Sequence, residues 1–233
     1  MDKKGSEKDY FAALTKISKA ITSDLYLEDI LKLVVNLTAG VMGAKICALW
    51  LFDKEKQELQ IRTTQAMSQE YLKKRSIKVG EGIVGLVASE KKPIVISNVL
   101  EDERYKEKDL AEKEGLVSML SVPMIEKGEV LGVINVYTVA FYKFSKSDID
   151  LLSAVANQSA VAIHNTELMV QTKVIQEELE TRKKVEKAKG ILMKGQGLTE
   201  EEAYKLMRKS SMNKRVSMKE IAEAIILSEE IRG

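Results

Sequence analysis

Between residues 45 and 137 the chain carries six short apolar runs, and most of the gaps between them are too short to hold a crossover helix. The runs are "KICALWLF" (45–52), "ELQIRTT" (58–64), "SIKV" (76–79), "PIVIS" (93–97), "SMLSVPMI" (118–125) and "VLGVINVY" (130–137). Parallel neighbours need a connection of a dozen or more residues, usually a helix. Here "DKEKQ" joins the first pair, and Glu126-Lys127-Gly128-Glu129 joins the last pair as a hairpin. The spacing therefore predicts an antiparallel six-stranded sheet, with short helices at 81–90 and 103–114.

On either side the apolar period changes from two to about 3.6. Over residues 8–42, Phe11, Leu14, Ile17 and Ile21 form one helical stripe, and Ile30, Leu33, Val34 and Leu37 form another. The helical period returns at Ser147. Leu151, Leu152, Val155, Ala156, Ala160 and Ile163 make an apolar face that continues through Leu168, Thr172, Ile175 and Leu179. The last four are spaced like a short heptad seam, which Arg182 and Glu186 interrupt. Three helices are then expected, at about 165–194, 200–211 and 218–231. Gly195-Gln196-Gly197 closes the first. Thr199 with Glu202, and Ser217 with Glu220, match capping boxes that open the others. "SMNKR" (211–215) is read as the loop between the last two.

With 45% hydrophobic and 31% charged residues over 233 positions, the composition is that of a globular protein with ample core. No apolar run reaches the roughly 18 residues that span a bilayer, and "MDKKGSEKDY" lacks the apolar segment of a signal peptide. The expectation is a cytoplasmic protein without a membrane partner. The net charge of +2 conceals an asymmetry. Residues 182–233 hold 13 Lys and Arg against 8 Glu, a surplus of +5, and the remainder of the chain is at −3. A basic segment on an acidic body points to an anionic partner.

The motifs of catalysis fail one by one. "GEGIVG" (80–85) matches G-x-G-x-x-G, but the unit from 76 to 97 is shorter than the roughly 30 residues of a dinucleotide-binding βαβ unit, so its glycines serve a tight strand-to-helix turn. His164 is the only histidine and Cys47 the only cysteine. That count argues against a catalytic triad, a histidine metal site and a disulfide. Cys47 reads as a small core residue and His164 as a packed or surface one. No enzyme activity, metal or cofactor is expected.

Two stretches resemble known families. "VGEGIVGLVASEKKPIVISNVLEDERY" (79–105), "SMLSVPMIEKGEVLGVINVY" (118–137) and "FSKSDIDLLSAVANQSAVAIHNTEL" (144–168) resemble, in order and spacing, a GAF domain. The resemblance implies an α+β fold: a six-stranded antiparallel sheet flanked by helices, serving dimerisation or holding a small-molecule effector. Some cyclic-nucleotide-binding relatives carry an N-K-x(n)-F-x3-D-E signature. Asn135, Phe144 and Asp148 match it, but Val136 replaces its lysine and Ile149 its glutamate.

"EKAKGILMKGQGLTEEEAYKLMRKSSM" (186–212) and "VSMKEIAEAII" (216–226) resemble an ANTAR domain, an all-α three-helix RNA-binding module. That resemblance implies transcription antitermination by a homodimer that binds paired hairpins, with their loops, in messenger RNA leaders. The expected organisation is a GAF-like sensory and dimerisation domain at 1–165, a connecting helix at 166–181 and an ANTAR RNA-binding domain at 182–233. A signal at the GAF-like domain stands where most relatives have a phosphorylated receiver.

The residue types agree with an RNA surface. Cations neutralise phosphates and release counterions, and arginine can stack on and hydrogen-bond an unstacked base. Arg208 and Arg215 are candidates for base or phosphate contact, and Lys189, Lys209, Lys214 and Lys219 for phosphate. Tyr204 is read as core in preference to a stacking platform. Ala188, Ala203 and Ala222 are read as close helix contacts. Gly190 sits inside a helix, where glycine costs about 1 kcal/mol relative to alanine, and close helix packing is the favoured reason for it. A DNA-binding helix-turn-helix is the alternative, although no 3–4-residue turn is apparent. A protein that only dimerises is a third reading, against which the basic C-terminal segment counts.

Overall fold

The structure is a computed structural model, describing residues 7–21, 26–65 and 75–232. It divides into two compact units, Met1–Thr166 and Glu167–Gly233. The fold is α+β.

In the first unit six strands form one antiparallel sheet. They are β1 (Ile46–Asp53), β2 (Glu58–Thr64), β3 (Ser76–Lys78), β4 (Ile94–Ile96), β5 (Ser118–Glu126) and β6 (Glu129–Thr138), in the order β3-β2-β1-β6-β5-β4. Both faces of the sheet are covered, which is why the central strands read as nearly unbroken apolar runs. Helices α1 (Glu7–Ile21), α2 (Leu27–Met42) and the first part of α5 (Lys146–Gln196) share a core with Cys47, Leu49, Leu120, Val122, Ile134 and Val136. Helices α3 (Gly82–Glu90) and α4 (Lys108–Glu114) share a second core with Ile46, Trp50, Met119, Val133 and Tyr137. Alternate residues of β1 and β6 thus serve opposite layers, as the pleat requires.

Two expectations need correction here, and a third holds. The buried stripe of α1 runs through Ala13, Ile17 and Ala20, and Phe11 stands outside it at 75% exposure. The helix expected at 103–114 begins only at Lys108. The residues before it are held in turns: Asn98 Oδ1 accepts from the Leu100 N–H and Asp102 Oδ1 from the Arg104 N–H, and such local bonds compete with helix. The helical period that returns at Ser147 is, as expected, one long helix, continuous from Lys146 to Gln196. It opens on Ser145, whose N–H and hydroxyl both donate to the Asp148 carboxylate at 2.7 Å.

The second unit contains the remainder of α5, α6 (Glu200–Lys214) and α7 (Met218–Arg232). Val185, Ala188 and Leu192 of α5 pack with Ala203 and Met207 of α6 and with Ile221 and Ala222 of α7. All three alanines are fully buried, and a side chain of one carbon lets the helix axes approach.

Candidate nucleic-acid interface

The turns of the three-helix unit are built by local chemistry. Gly197 (φ 68°) ends α5 in the left-handed region, its N–H donating to the Met193 carbonyl at 3.0 Å. Thr199 and Glu202 form a full capping box at the start of α6. Ser217 and Glu220 do the same for α7: the Ser217 N–H and hydroxyl donate to the Glu220 carboxylate at 2.7 and 2.8 Å. Both glutamates are held below the usual carboxylate range, chiefly by those backbone N–H groups.

The expected loop "SMNKR" is mostly helix. Nothing in Ser211–Lys214 breaks the backbone pattern, and α6 runs on to Lys214. Arg215 then takes the left-handed conformation (φ 55°) that glycine usually supplies at a helix end. Its N–H reaches the Met212 carbonyl, and the Ser211 hydroxyl donates to the Val216 carbonyl at 2.6 Å. The α6–α7 connection is therefore only three residues long. That removes one sequence objection to a helix-turn-helix, and the charges supply a better one. Helix α7 carries Glu220, Glu223, Glu229 and Glu230 against Lys219 and Arg232, and α6 begins with three glutamates. Neither helix presents a cationic N-terminal half to a groove walled by phosphates.

The six candidate cations fall into two groups. Lys189 is covered, its side chain only 9% exposed, and its ammonium lies 2.8 Å from Glu186 and 2.7 Å from Glu200. Hydrogen bonds to those two carboxylates raise its pKa. It joins α5 to the start of α6 and is not open to a phosphate. Arg208, Lys209, Lys214 and Arg215 are exposed and Lys219 half-buried. None of the five has an ion pair among the described residues; Arg208, Lys209 and Lys214 lie on the C-terminal half of α6, Arg215 at the α6–α7 turn and Lys219 in the first turn of α7. Other cations of this unit are taken up by carboxylates: Lys184 by Glu223, Lys187 by Glu230 and Lys205 by Glu201. On α5, Arg182, Lys183 and Lys194 are also without an ion pair among the described residues.

Sequence reasoning misplaced two more residues. Tyr204 is 44% exposed instead of core, while its neighbours Ala203 and Met207 are buried. Gly190 has open space: a Cβ built there meets nothing within 4 Å. Packing inside the chain therefore does not require the glycine.

In the sheet domain the three signature matches are held by the fold. Asn135 is fully buried and bonds Ser121 Oγ at 2.6 Å. With its amide oxygen turned to Trp50 Nε1, 3.3 Å away, all three polar groups are satisfied. Phe144 is core and meets Tyr142 edge-on. Asp148 caps α5 and also accepts from the Tyr142 hydroxyl at 3.1 Å. The G-x-G-x-x-G stretch is a strand-to-helix turn: the Gly80 N–H donates to the Gly85 carbonyl, and a Cβ on Gly85 would strike the Lys78 carbonyl. Cys47 is fully buried, and burial pushes its thiol pKa up. His164 is half-buried, with Nε2 3.4 Å from Lys127 Nζ.

A six-stranded antiparallel sheet between helical layers is followed by a capped three-helix unit. The chain belongs to the GAF family: the GAF domain model matches residues 26–163, and an ANTAR domain follows at residues 173–226. Among solved structures it is similar to the GAF domain of a phosphoenolpyruvate-protein phosphotransferase from Coxiella burnetii, at 24% identity and a TM-score of 0.66 over 72% of this chain and 99% of that one. Over the sheet domain it is similar to a methyl sulfide methyltransferase-associated sensor of Methanosarcina acetivorans, 24% identical over 65% of this chain and 16% of that protein. Over the helical unit it is similar to the transcriptional regulatory protein PdtaR of Mycobacterium tuberculosis, 41% identical over 26% of this chain and 30% of that protein. A similar match, 43% identical, is to a nitrate regulatory protein of Klebsiella oxytoca, over 26% of this chain and 15% of that protein. The chain thus spans a third or less of the length of these curated relatives. No helix among the described residues is long and apolar enough to cross a membrane.

Proposed function

We propose that the protein is a non-catalytic transcription antitermination regulator. It binds hairpins in messenger RNA leaders through the turn between α6 and α7, and a signal at the GAF domain controls it. The observation that carries this reading is the cluster of five cations without ion pairs among the described residues, Arg208, Lys209, Lys214, Arg215 and Lys219, on a unit in which Lys184, Lys187, Lys189 and Lys205 are each paired with a carboxylate. Cations not held in an ion pair are open to phosphate oxygens. Arginine adds the planar fork that recognises a base edge or a phosphate. Lys189 acts in this reading as a positioning residue. The likeness of the helical unit to two regulators supports a regulatory role.

A homodimer brings two such surfaces to two hairpins. Leu168, Ile175 and Leu179 are each half exposed or nearly so on α5, an apolar face that suits a second copy of the same helix. The signal is a small-molecule effector or a partner protein at the GAF domain. It shifts the RNA-binding equilibrium only by its difference in affinity for the two states. One helix, α5, supplies residues to the cores of both units, so a change in one is carried covalently to the other.

The test is binding of the full chain to paired-hairpin RNA and to duplex DNA of matched length. The expectation is preference for RNA, and a loss of about tenfold or more in Arg208→Ala with unchanged thermal stability. Equal affinity for RNA and DNA, undiminished in the variant, would overturn the reading.

A further inference from the structure

The half-exposed ring of Tyr204 stands at a groove of about 580 Å³ whose lining mixes three kinds of chemistry. Val185 and Met218 supply apolar surface. Arg182 and Lys219 supply cations. Glu177, Glu178 and Glu186 supply carboxylates; Glu186 is paired with Lys189, while Glu177 and Glu178 have no ion pair among the described residues. The volume is in the range of small-molecule sites. A bare phosphate is a poor occupant, since it would meet the carboxylates. A purely apolar side chain would leave the charged groups desolvated without partners.

We propose that this groove takes one unstacked nucleobase of an RNA loop. The ring stacks on Tyr204, an amino-bearing edge donates to the Glu178 carboxylate, and the adjoining phosphate lies on Lys219. This deepens the RNA-binding reading and rests on it. Each element has a physical reason. Every base has a π-face, so an aromatic ring at a groove edge holds it whatever its identity. A carboxylate accepts only from a donor, so it favours guanine, cytosine or adenine edges over the carbonyls of uracil. Tyr204 and Arg208 are four residues apart on α6 and share a face. The stacked base and the cation cluster therefore lie along a single path. Tyr204 is outside the core of Ala203 and Met207, so it can be changed without removing packed surface.

The probe is a library of RNA stem–loops with randomised loops, presented to the full-length protein. Enrichment of hairpins by the wild type tests the RNA reading itself; without it, that reading fails before the groove is at issue. Given enrichment, Tyr204→Ala should weaken binding of the winning hairpins about 5- to 150-fold, the range that one stacked base covers. Tyr204→Phe should bind like the wild type. Glu178→Gln should erase the preference for an amino-bearing base at one loop position. Thermal unfolding should be unchanged in all three. The groove assignment is overturned if Tyr204→Ala binds like the wild type, if Tyr204→Phe is as damaged as Tyr204→Ala, or if Glu178→Gln selects the same loops.

Discussion

Gly85 and Gly132 of the sheet domain, and Gly190 of the three-helix unit, are all glycines inside regular elements, yet their surroundings are opposite. A Cβ on Gly85 would fall on the Lys78 carbonyl, and one on Gly132 on the Trp50 carbonyl and the Met124 methyl. A Cβ on Gly190 would touch nothing. The same contrast holds for side chains. Asn135, Phe144 and Asp148 look like ligand residues in the sequence, and the sheet domain ties each into its core or a helix cap. Arg208, Lys209, Tyr204 and Arg215 have no such employment in the helical unit. Residues whose identity the fold explains are weak pointers to function. Residues that cost stability, or stay open without an internal reason, are strong ones.

The contrast can be broken by substitution. Gly132→Ala should have the largest effect, a loss of about 3 kcal/mol read as a lowered urea midpoint, because the Trp50 backbone and the Met124 side chain must move. An unchanged midpoint would remove the structural account of the sheet glycines. Arg215→Gly should act the other way, gaining about 1 kcal/mol by relieving the left-handed strain at φ 55° while weakening RNA binding. A variant that is both more stable and fully active would strip Arg215 of its role. Gly190→Ala should raise helix stability by up to about 1 kcal/mol, since nothing in the chain obstructs the methyl. If a nucleotide or a second helix comes close at this point, the more stable protein binds RNA less well. Calorimetry and a binding titration on the same sample distinguish the two effects.

Punctuation with local chemistry was legible in the sequence. Thr199 with Glu202, Ser217 with Glu220, and the glycine closing α5 each act within a few residues, so spacing alone locates them. The six strands and their antiparallel character follow from gap lengths in the same way, whereas the pairing of β1 with β6 is non-local and leaves no such trace. What spacing could not show was non-local. Glu200, eleven residues beyond Lys189 and on another helix, supplies half of its pairing, and a lysine's partner across a helix junction leaves no periodic trace. Nor does a left-handed cap made by arginine, so the sequence alone ends α6 three residues short of Lys214. Tyr204 lies next to Ala203 and three residues before Met207, both core, and only the direction of its side chain separates it from them. The Ser145–Asp148 cap stands in the sequence as S-x-x-D, where Asp148 also matches a family signature, and only the hydrogen bonds separate the two roles.

The most direct measurement is the salt dependence of binding between the full-length protein and a paired-hairpin RNA. Each lost phosphate contact lowers the slope of log affinity against log salt by about 0.7 to 0.9. The doubly substituted Lys209→Ala/Lys214→Ala protein should therefore show a slope about 1.4 to 1.8 smaller than the wild type. Lys189→Met, in which a covered and paired ammonium is lost, should keep the wild-type slope while unfolding more readily. Equal slopes for the wild type and the double variant, or a reduced slope for Lys189→Met alone, would contradict the assignment of RNA binding to the open cations of the α6–α7 turn.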